Sequence, residues 1–240
     1  MAPGLFSIRS VMDIYDVDEM FARFPVDATI AQQNVPSPWK VKVHVDGYAR
    51  LLVMVQECRK MVLDYLLNVG YVGMSHLWIE VDGPEEFVTP LPGTTRSLPT
   101  RYWHILPHQL DSRIAATLFR LVGVSAQTIR TVSLGGKPGG TRSGYVIEGQ
   151  DASYSWTETS SLYPESDIVT GSQCFYRKVG VRISEARARC ESHFLGDGQV
   201  VLDASPDSAI GRLGFGQTLT GISNPVFVKR CRARYRAGHF

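Results

Sequence analysis

Two histidines of this 240-residue chain have a spacing that suggests metal binding. His104 and His108 stand four positions apart, which would let two imidazoles bind one metal ion from a single helix. Pro107 lies between them and disrupts that helix, and no glutamate completes the zinc-protease pattern. We therefore predict no metal site at this pair.

Two other motifs have catalytic spacings but lack the structure that catalysis needs. Ser37 and Lys40 match the Ser-x-x-Lys spacing of penicillin-recognising enzymes, but Pro38 and the adjoining predicted strand deny them a helix. The stretch from Gly135 to Gly140 lacks the glycine spacing of a P-loop, so Lys137 is predicted to lie in an exposed loop. These residues predict a protein that is not an enzyme and holds no cofactor or metal.

The C-terminal segment carries the strongest binding signal. It contains five basic residues without an acid, Lys229, Arg230, Arg232, Arg234 and Arg236. In an extended strand the four arginines share one face, and such a row attracts RNA phosphates, anionic lipid or a nuclear import receptor. The alternative is a solvated terminal strand. Residues 1–38 are acidic by contrast, which predicts that the two ends have different partners.

A loop from Gly83 to Thr100 contains four prolines and is long enough to have a function. Its apolar residues are Phe87, Val88, Leu91 and Leu98. They are predicted either to enter a membrane interface or self-association contact, or to cap the core.

The main element that would position these groups is a predicted long helix over about residues 50–68. Apolar residues recur there at spacings of three and four, and Asn68 and Gly70 provide a stop. Before it, Trp39 to Val45 alternates between apolar and polar residues, which predicts a strand. A second helix is predicted at about 111–122, with Asp111 as N-cap.

Together these elements predict a single α+β domain in which an antiparallel sheet packs against two helices. Its parts are an acidic N-terminal arm (1–38), a core domain (39–228) and a basic C-terminal tail (229–240). The four cysteines are scattered without a Cys-x-x-Cys pair, which predicts free thiols. No run of 18 apolar residues suggests a membrane span.

Short segments of the chain resemble a viral protein family. The run Trp39-Lys-Val-Lys-Val43, the turn Asp46-Gly-Tyr48 and the predicted long helix resemble the core entry of rhabdovirus matrix proteins. The segment Lys178 to Ser184, followed by Cys190, resembles a late strand of that family. The resemblance covers about Trp39 to Asp203 in the order of elements.

The resemblance implies a non-enzymatic structural protein that self-associates and bridges viral ribonucleoprotein to the inner face of the envelope during assembly and budding. Its partners would be the nucleocapsid, an anionic membrane surface and further copies of itself. Its location would be the virion, beneath the envelope, and the host cytoplasm, membrane and nucleus. The chain lacks the family's Pro-Pro-x-Tyr motif and lysine-rich arm, and its basic tail better suits the plant-infecting, nucleus-replicating members.

Two other hypotheses stay open at the sequence level. The first is a small α+β enzyme or ligand-binding protein with a pocket between the sheet and the long helix, which would use His76 or His104. It predicts converging polar groups and perturbed titratable residues in an enclosed site. The second is a jelly-roll capsid subunit.

Overall fold

The unbroken apolar run from Leu51 to Val55 is typical of a strand buried on both faces. A computed structural model of the chain places this run in the second strand of a large sheet. The structure describes residues 10–64, 66–82, 88–90, 97–99, 101–121, 124–136, 141–147, 151–163, 171–175, 181–188, 192–196, 200–208, 210–222 and 226–239.

The described part of the chain is mostly strand. The strands are β1 (Ser10–Val26), β2 (Ala49–Leu63), β3 (Leu67–Val81), β4 (Val88–Pro90), β5 (Ser97–Pro99), β6 (Arg101–Ile105), β7 (His108–Leu110), β8 (Ala126–Thr128), β9 (Thr131–Gly136), β10 (Thr141–Ile147), β11 (Asp151–Tyr163), β12 (Gly171–Phe175), β13 (Val181–Ala188), β14 (Ser192–Gly196), β15 (Val201–Ala204), β16 (Thr218–Thr220) and β17 (Val226–His239). The helices are α1 (Ala28–Gln33) and α2 (Arg113–Leu121), and a short 3₁₀ turn spans Gly211–Leu213.

Seven of these strands close into a barrel. They follow the order β1-β2-β3-β6-β12-β13-β17, and β17 pairs in turn with β1. Because closure pairs both edges, these strands leave no open edge within the ring. Strands β9, β10, β11, β15 and β16 continue the sheet outside the ring through β14, which pairs with β17 and β11.

The predicted long helix over about 50–68 is wrong, because β2, a tight turn and the start of β3 occupy it. Both faces of β2 are buried, and a strand of that kind lacks the polar alternation that separates a strand from a helix. Positive φ angles mark the reversal at Asp64 and a strand irregularity at Gly70, the glycine interpreted as a helix stop.

The predicted strand from Trp39 to Val45 is also not a regular strand. Only Val41 forms a bridge pair, with Val81 at the end of β3. The adjacent backbone bonds, Lys42 N to Glu80 O and Asp82 N to Lys40 O, hold the segment along β3. This connection therefore lies against the barrel rather than adding a full strand to it.

Two apolar clusters lie on opposite faces of β1, β2 and β3. One cluster contains Phe24, Val53 and Leu77 together with residues of β9, β15, β16 and α1, so it fills the space outside the barrel. The other contains Met54 and Trp78 with residues of β6 and α2. This second face, defined by alternate residues of each strand, is the barrel interior.

Helix α2 confirms the second predicted helix, with shorter bounds. Its first turn is capped by Ser112, whose Oγ accepts from Ala115 N at 3.2 Å. Asp111, the predicted cap, instead accepts a hydrogen bond from Gly73 N at 2.8 Å. Ala115, Ala116 and Phe119 are buried against the interior cluster, so α2 covers that part of the barrel.

The predicted acidic arm and basic tail supply β1 and β17, which pair with each other. The Asp18 carboxylate accepts from Arg230 N at 3.1 Å, and the Arg230 guanidinium lies 3.9 Å from the Asp16 carboxylate. Arg232 stacks over Tyr15 with its guanidinium carbon 4.7 Å from the ring centre. The two ends therefore contact each other, and the expectation that they have different partners stays a prediction.

The fold is a single, mostly β domain with two helices, within the predicted α+β class. The predicted purely antiparallel sheet is wrong, since β12 pairs with β6 and β8 with β7 in parallel. In the described ranges, no helix is long and apolar enough to cross a membrane.

Candidate active site

Four polar residues meet in the barrel interior. Register places Glu19 of β1 opposite Gln56 of β2, and Gln56 opposite Met74 of β3. His76 follows two residues later on the same face of β3, and His108 comes from β7, which pairs with β3. Between 0% and 3% of each of these polar residues is exposed. Burial of four such groups requires that they compensate one another.

A hydrogen-bonded chain connects three of them. The Gln56 amide Nε2 donates to the Glu19 carboxylate, and Gln56 Oε1 lies 2.9 Å from His76 Nε2. Because the carboxylate accepts from the amide nitrogen, the amide oxygen faces the imidazole. His76 Nε2 must then carry a proton and donate it. In the neutral imidazole this arrangement selects the Nε2–H tautomer, which leaves the basic lone pair on Nδ1.

The second histidine packs directly against the first. The rings of His76 and His108 meet edge to face, with centres 4.4 Å apart, and His108 also meets the Phe119 ring at 5.4 Å. Burial lowers the pKa of His108 to about 3, because the imidazolium loses its hydration there. His108 is therefore a neutral imidazole at pH 7.

Aromatic side chains form the next layer of the interior. Trp78 meets His76 with ring centres 5.9 Å apart, and Trp103 lies 6.2 Å from Trp78. Ile105 pairs with Trp78 across β3 and β6. An apolar surround of this kind strengthens polar interactions inside it.

Compensated charges lie at the end of β3 beyond the tryptophans. Glu80 is 3% exposed, and its carboxylate contacts Lys42 Nζ at 3.3 Å and His44 Nε2 at 3.1 Å. Arg50 of β2 is buried and pairs with Asp46 at 2.7 Å. These contacts hold the connection before β2 against this end of the barrel.

Within the described ranges, the interior offers imidazole and carboxylate groups, and no reactive thiol, lysine amine or metal cluster is described there. Burial raises the pKa of the Cys58 thiol to about 12, so it is not a nucleophile at neutral pH. Lys40, Lys42 and Lys60, the lysines whose environment is described, are exposed. Within the described ranges, no group of three histidine, cysteine or acidic residues is arranged to hold a metal ion.

A surface depression of about 510 Å³ lies elsewhere, lined by Ala28, Thr29, Gln32 and Gln33 of α1 and its start. It contains no titratable group. The buried polar network of the barrel interior is therefore the candidate site, and this depression is not.

Of the predicted binding residues, those whose exposure is described lie outside this network. Arg230 and Arg232 are exposed on β17 beside the acidic residues of β1, and Lys229, Arg234 and Arg236 belong to the same strand. Val88 and Leu98 lie in the paired strands β4 and β5. Phe87, Leu91 and Lys137 lie outside the described residues. The structure does not test the predicted roles of these residues.

Sequence reasoning named His76 and His104 for an enzymatic alternative and missed Glu19, Gln56 and His108 as a site. The signal for Gln56 was a polar amide directly after the apolar run Leu51–Val55. Glu19 and His108 carried no such signal, because strand pairing alone brings them to the interior. His104 is buried, but it lies on β6 between the interior residues Trp103 and Ile105 and so faces the other way.

Comparison with known proteins identifies the fold. No family model matches the chain, and no curated protein sequence matches it. An acetoacetate decarboxylase-like enzyme from Sphingomonas wittichii RW1 superposes with a TM-score of 0.60 at 13% identity, over 98% of this chain and 94% of that one. Acetoacetate decarboxylase from Legionella pneumophila superposes with a TM-score of 0.58 at 10% identity, over 100% and 91%.

A third similar structure is the enduracididine biosynthesis enzyme MppR complexed with pyruvate. Its TM-score is 0.53 at 12% identity, over 98% of this chain and 90% of that one. The chain therefore has the fold of acetoacetate decarboxylase-like enzymes.

This finding overturns the matrix-protein prediction. The resemblance to rhabdovirus matrix proteins is wrong, and so are the structural role in budding and the non-enzymatic assignment that it implied. The short Val-Lys-Val pattern misled because Trp39 to Val43 precedes a β-hairpin and not the helix that the resemblance required. The fold instead favours the alternative of an enzyme or ligand-binding protein.

Proposed function

We propose that this protein is an enzyme that forms or protonates the enolate of a small oxo acid inside its barrel. The observation that carries the proposal is the buried Glu19–Gln56–His76 chain beside the neutral imidazole of His108. The fold supports the reaction class only by analogy, because one fold serves many functions. The substrates and ligands of the similar proteins, acetoacetate and pyruvate, are short oxo acids.

His76 has the features of a general base. The amide of Gln56 holds its Nε2–H, so Nδ1 can take a proton from the carbon next to a carbonyl group. The Glu19 carboxylate, through Gln56, favours the imidazolium that results. The proton returns to carbon from the same nitrogen, so that the base is regenerated.

His108 has the features of a neutral hydrogen-bond donor. Its low pKa makes it a weak base and keeps it a neutral imidazole, which carries one N–H group, at neutral pH. A neutral imidazole can donate to an oxygen that becomes negative as the enolate forms. The two histidines would thus have different roles because their surroundings differ.

A lysine amine is the usual alternative catalyst for carbonyl substrates, through a Schiff base. The three lysines with a described environment are exposed, so the described interior supports imidazole catalysis. Treatment with borohydride in the presence of pyruvate distinguishes the two reactions. We expect no covalent adduct by mass spectrometry, and a trapped adduct would contradict imidazole catalysis.

The direct test is the exchange of the methyl protons of pyruvate for deuterium in D₂O, followed by proton NMR. The wild-type protein should accelerate exchange over the buffer, and His76→Gln should lower the rate by about a hundredfold or more, the usual contribution of a general base. His44→Gln is the matched control, because His44 lies outside the network.

Two results would count against this function. An equal loss of exchange in His44→Gln would point to a general structural effect. Binding of pyruvate and acetoacetate without exchange or decarboxylation would instead favour a ligand-binding protein. Two groups of expectations stay predictions. They are the binding of ribonucleoprotein, anionic membrane, an import receptor or a second copy, and the predicted localisation.

A further inference from the structure

Trp78 presents a buried donor without an acceptor among the described residues. Its side chain is 2% exposed and lies on the interior face of β3, two residues from His76. In the part of the chain that the structure describes, its indole Nε1 has no hydrogen-bond acceptor. Because a buried indole N–H normally finds an acceptor, an unused one suggests that a bound molecule supplies it.

The surroundings of this donor favour an ionised acceptor. Leu52 and Ile105 are the neighbours of Trp78 in register, and the Trp103 ring lies 6.2 Å away. In apolar surroundings, a hydrogen bond to a charged oxygen is stronger than one to a neutral oxygen.

A positive charge lies in the same row of the interior. Arg23 of β1 pairs with Leu52, and Leu52 pairs with Trp78. The nearest acid along β3 is Glu80, whose charge is compensated by Lys42 and His44. A basic residue therefore lies in the same row of the barrel as the Trp78 donor.

We propose that Trp78 determines specificity by donating its indole N–H to a carboxylate oxygen of the substrate. This inference rests on the proposed function and extends it, because it selects oxo acids over neutral ketones or amides. The ring centres of Trp78 and His76 are 5.9 Å apart in an edge-to-face contact, so both side chains can border one short molecule. A 2-oxo acid has its carboxylate directly beside the oxo group and fits this spacing.

The test uses the indole N–H signals of the nitrogen-15-labelled wild-type protein. The chain has four tryptophans, so each indole signal can be assigned by substituting one tryptophan at a time. If Trp78→Phe does not fold, substitution of the other three tryptophans identifies the Trp78 signal by elimination. Pyruvate should move the Trp78 proton signal downfield, while pyruvamide, its uncharged analogue, should move it less.

Binding measurements give the second readout. Trp78→Phe should weaken pyruvate binding by about tenfold or more, the usual effect of losing a hydrogen bond to a charged group, and should change pyruvamide binding less. Trp103→Phe is the matched control, because it removes a neighbouring buried indole but keeps the Trp78 donor. Equal weakening for pyruvate and pyruvamide would show loss of packing and overturn the proposal.

The outcomes separate this inference from the proposed function. If pyruvate binds and exchanges while the Trp78 signal does not move, the inference fails and the proposed function stands. If the wild-type protein neither binds pyruvate nor exchanges its protons, both fail.

Discussion

Acidification should destabilise the protein through His108, and the size of the effect follows from its burial. The ordinary pKa of a histidine is 6.5, and burial lowers that of His108 to about 3 in the folded protein. Between these two values the unfolded chain binds a proton that the folded chain does not. The stability contributed by the neutral form is therefore complete above pH 6.5 and is lost as the pH falls towards 3.

The magnitude at a convenient pH is measurable. Each unit below 6.5 costs about 1.4 kcal/mol for a single group, so at pH 5 the His108 contribution to the free energy of unfolding falls by about 2 kcal/mol. For a chain of 240 residues this corresponds to a decrease in Tm of about 4–8 °C. Other groups also titrate in this range, so the informative quantity is the difference between the wild-type protein and His108→Gln.

The assay is urea unfolding at pH 7, 6 and 5 for both proteins. The free energy of unfolding should fall more steeply with acid for the wild type than for His108→Gln. The difference between the two proteins should therefore shrink by about 2 kcal/mol between pH 7 and pH 5. Parallel curves for wild type and His108→Gln would refute the assignment of His108 as a buried neutral imidazole.

Three further changes test the network, the packing and the closure of the barrel. Gln56→Leu removes the amide donor to the buried Glu19 carboxylate, so it should lower the free energy of unfolding by about 2–4 kcal/mol; an unchanged value would contradict the network. Gly73→Ala should lower the free energy of unfolding by about 1–3 kcal/mol, because a Cβ there would lie 2.8 Å from the Val132 side chain. Gly221→Ala is the control and should lower it less, because the nearest atoms lie 3.4 Å from its Cβ. Truncation after Val228 removes most of β17 and should abolish the folded state in circular dichroism; a folded truncated protein would argue against closure by that strand.

Local patterns predicted those elements whose surroundings match their sequence. Helix α2 lies on the surface of the barrel, so its apolar face alternates with exposed residues, and the prediction of about 111–122 lies close to Arg113–Leu121. The alternating run from His76 to Asp82 likewise indicates a strand, and all of it except Asp82 lies within β3. By contrast, β2 is covered on both sides, and its even burial removed the signal that distinguishes a strand from a helix.

The candidate site depends on pairing that no local pattern contains. Glu19 and Gln56 are 37 positions apart and meet only because β1 and β2 pair in one register. In the sequence alone Glu19 belongs to an acidic segment, which predicts an N-terminal arm leading into the domain. A shift of one residue in that register would move the carboxylate to the other face of the sheet.

Barrel closure by the first and last described strands also shapes how the protein folds. The contacts between them join residues 212 and 217 positions apart, so a long stretch of chain must be ordered before they form. Contacts of such high sequence separation slow folding, because the entropy of closing the loop is lost before the contact stabilises the structure. During synthesis the ring stays incomplete until β17 has left the ribosome, so the buried histidines and Glu19 would remain open to water until the last step.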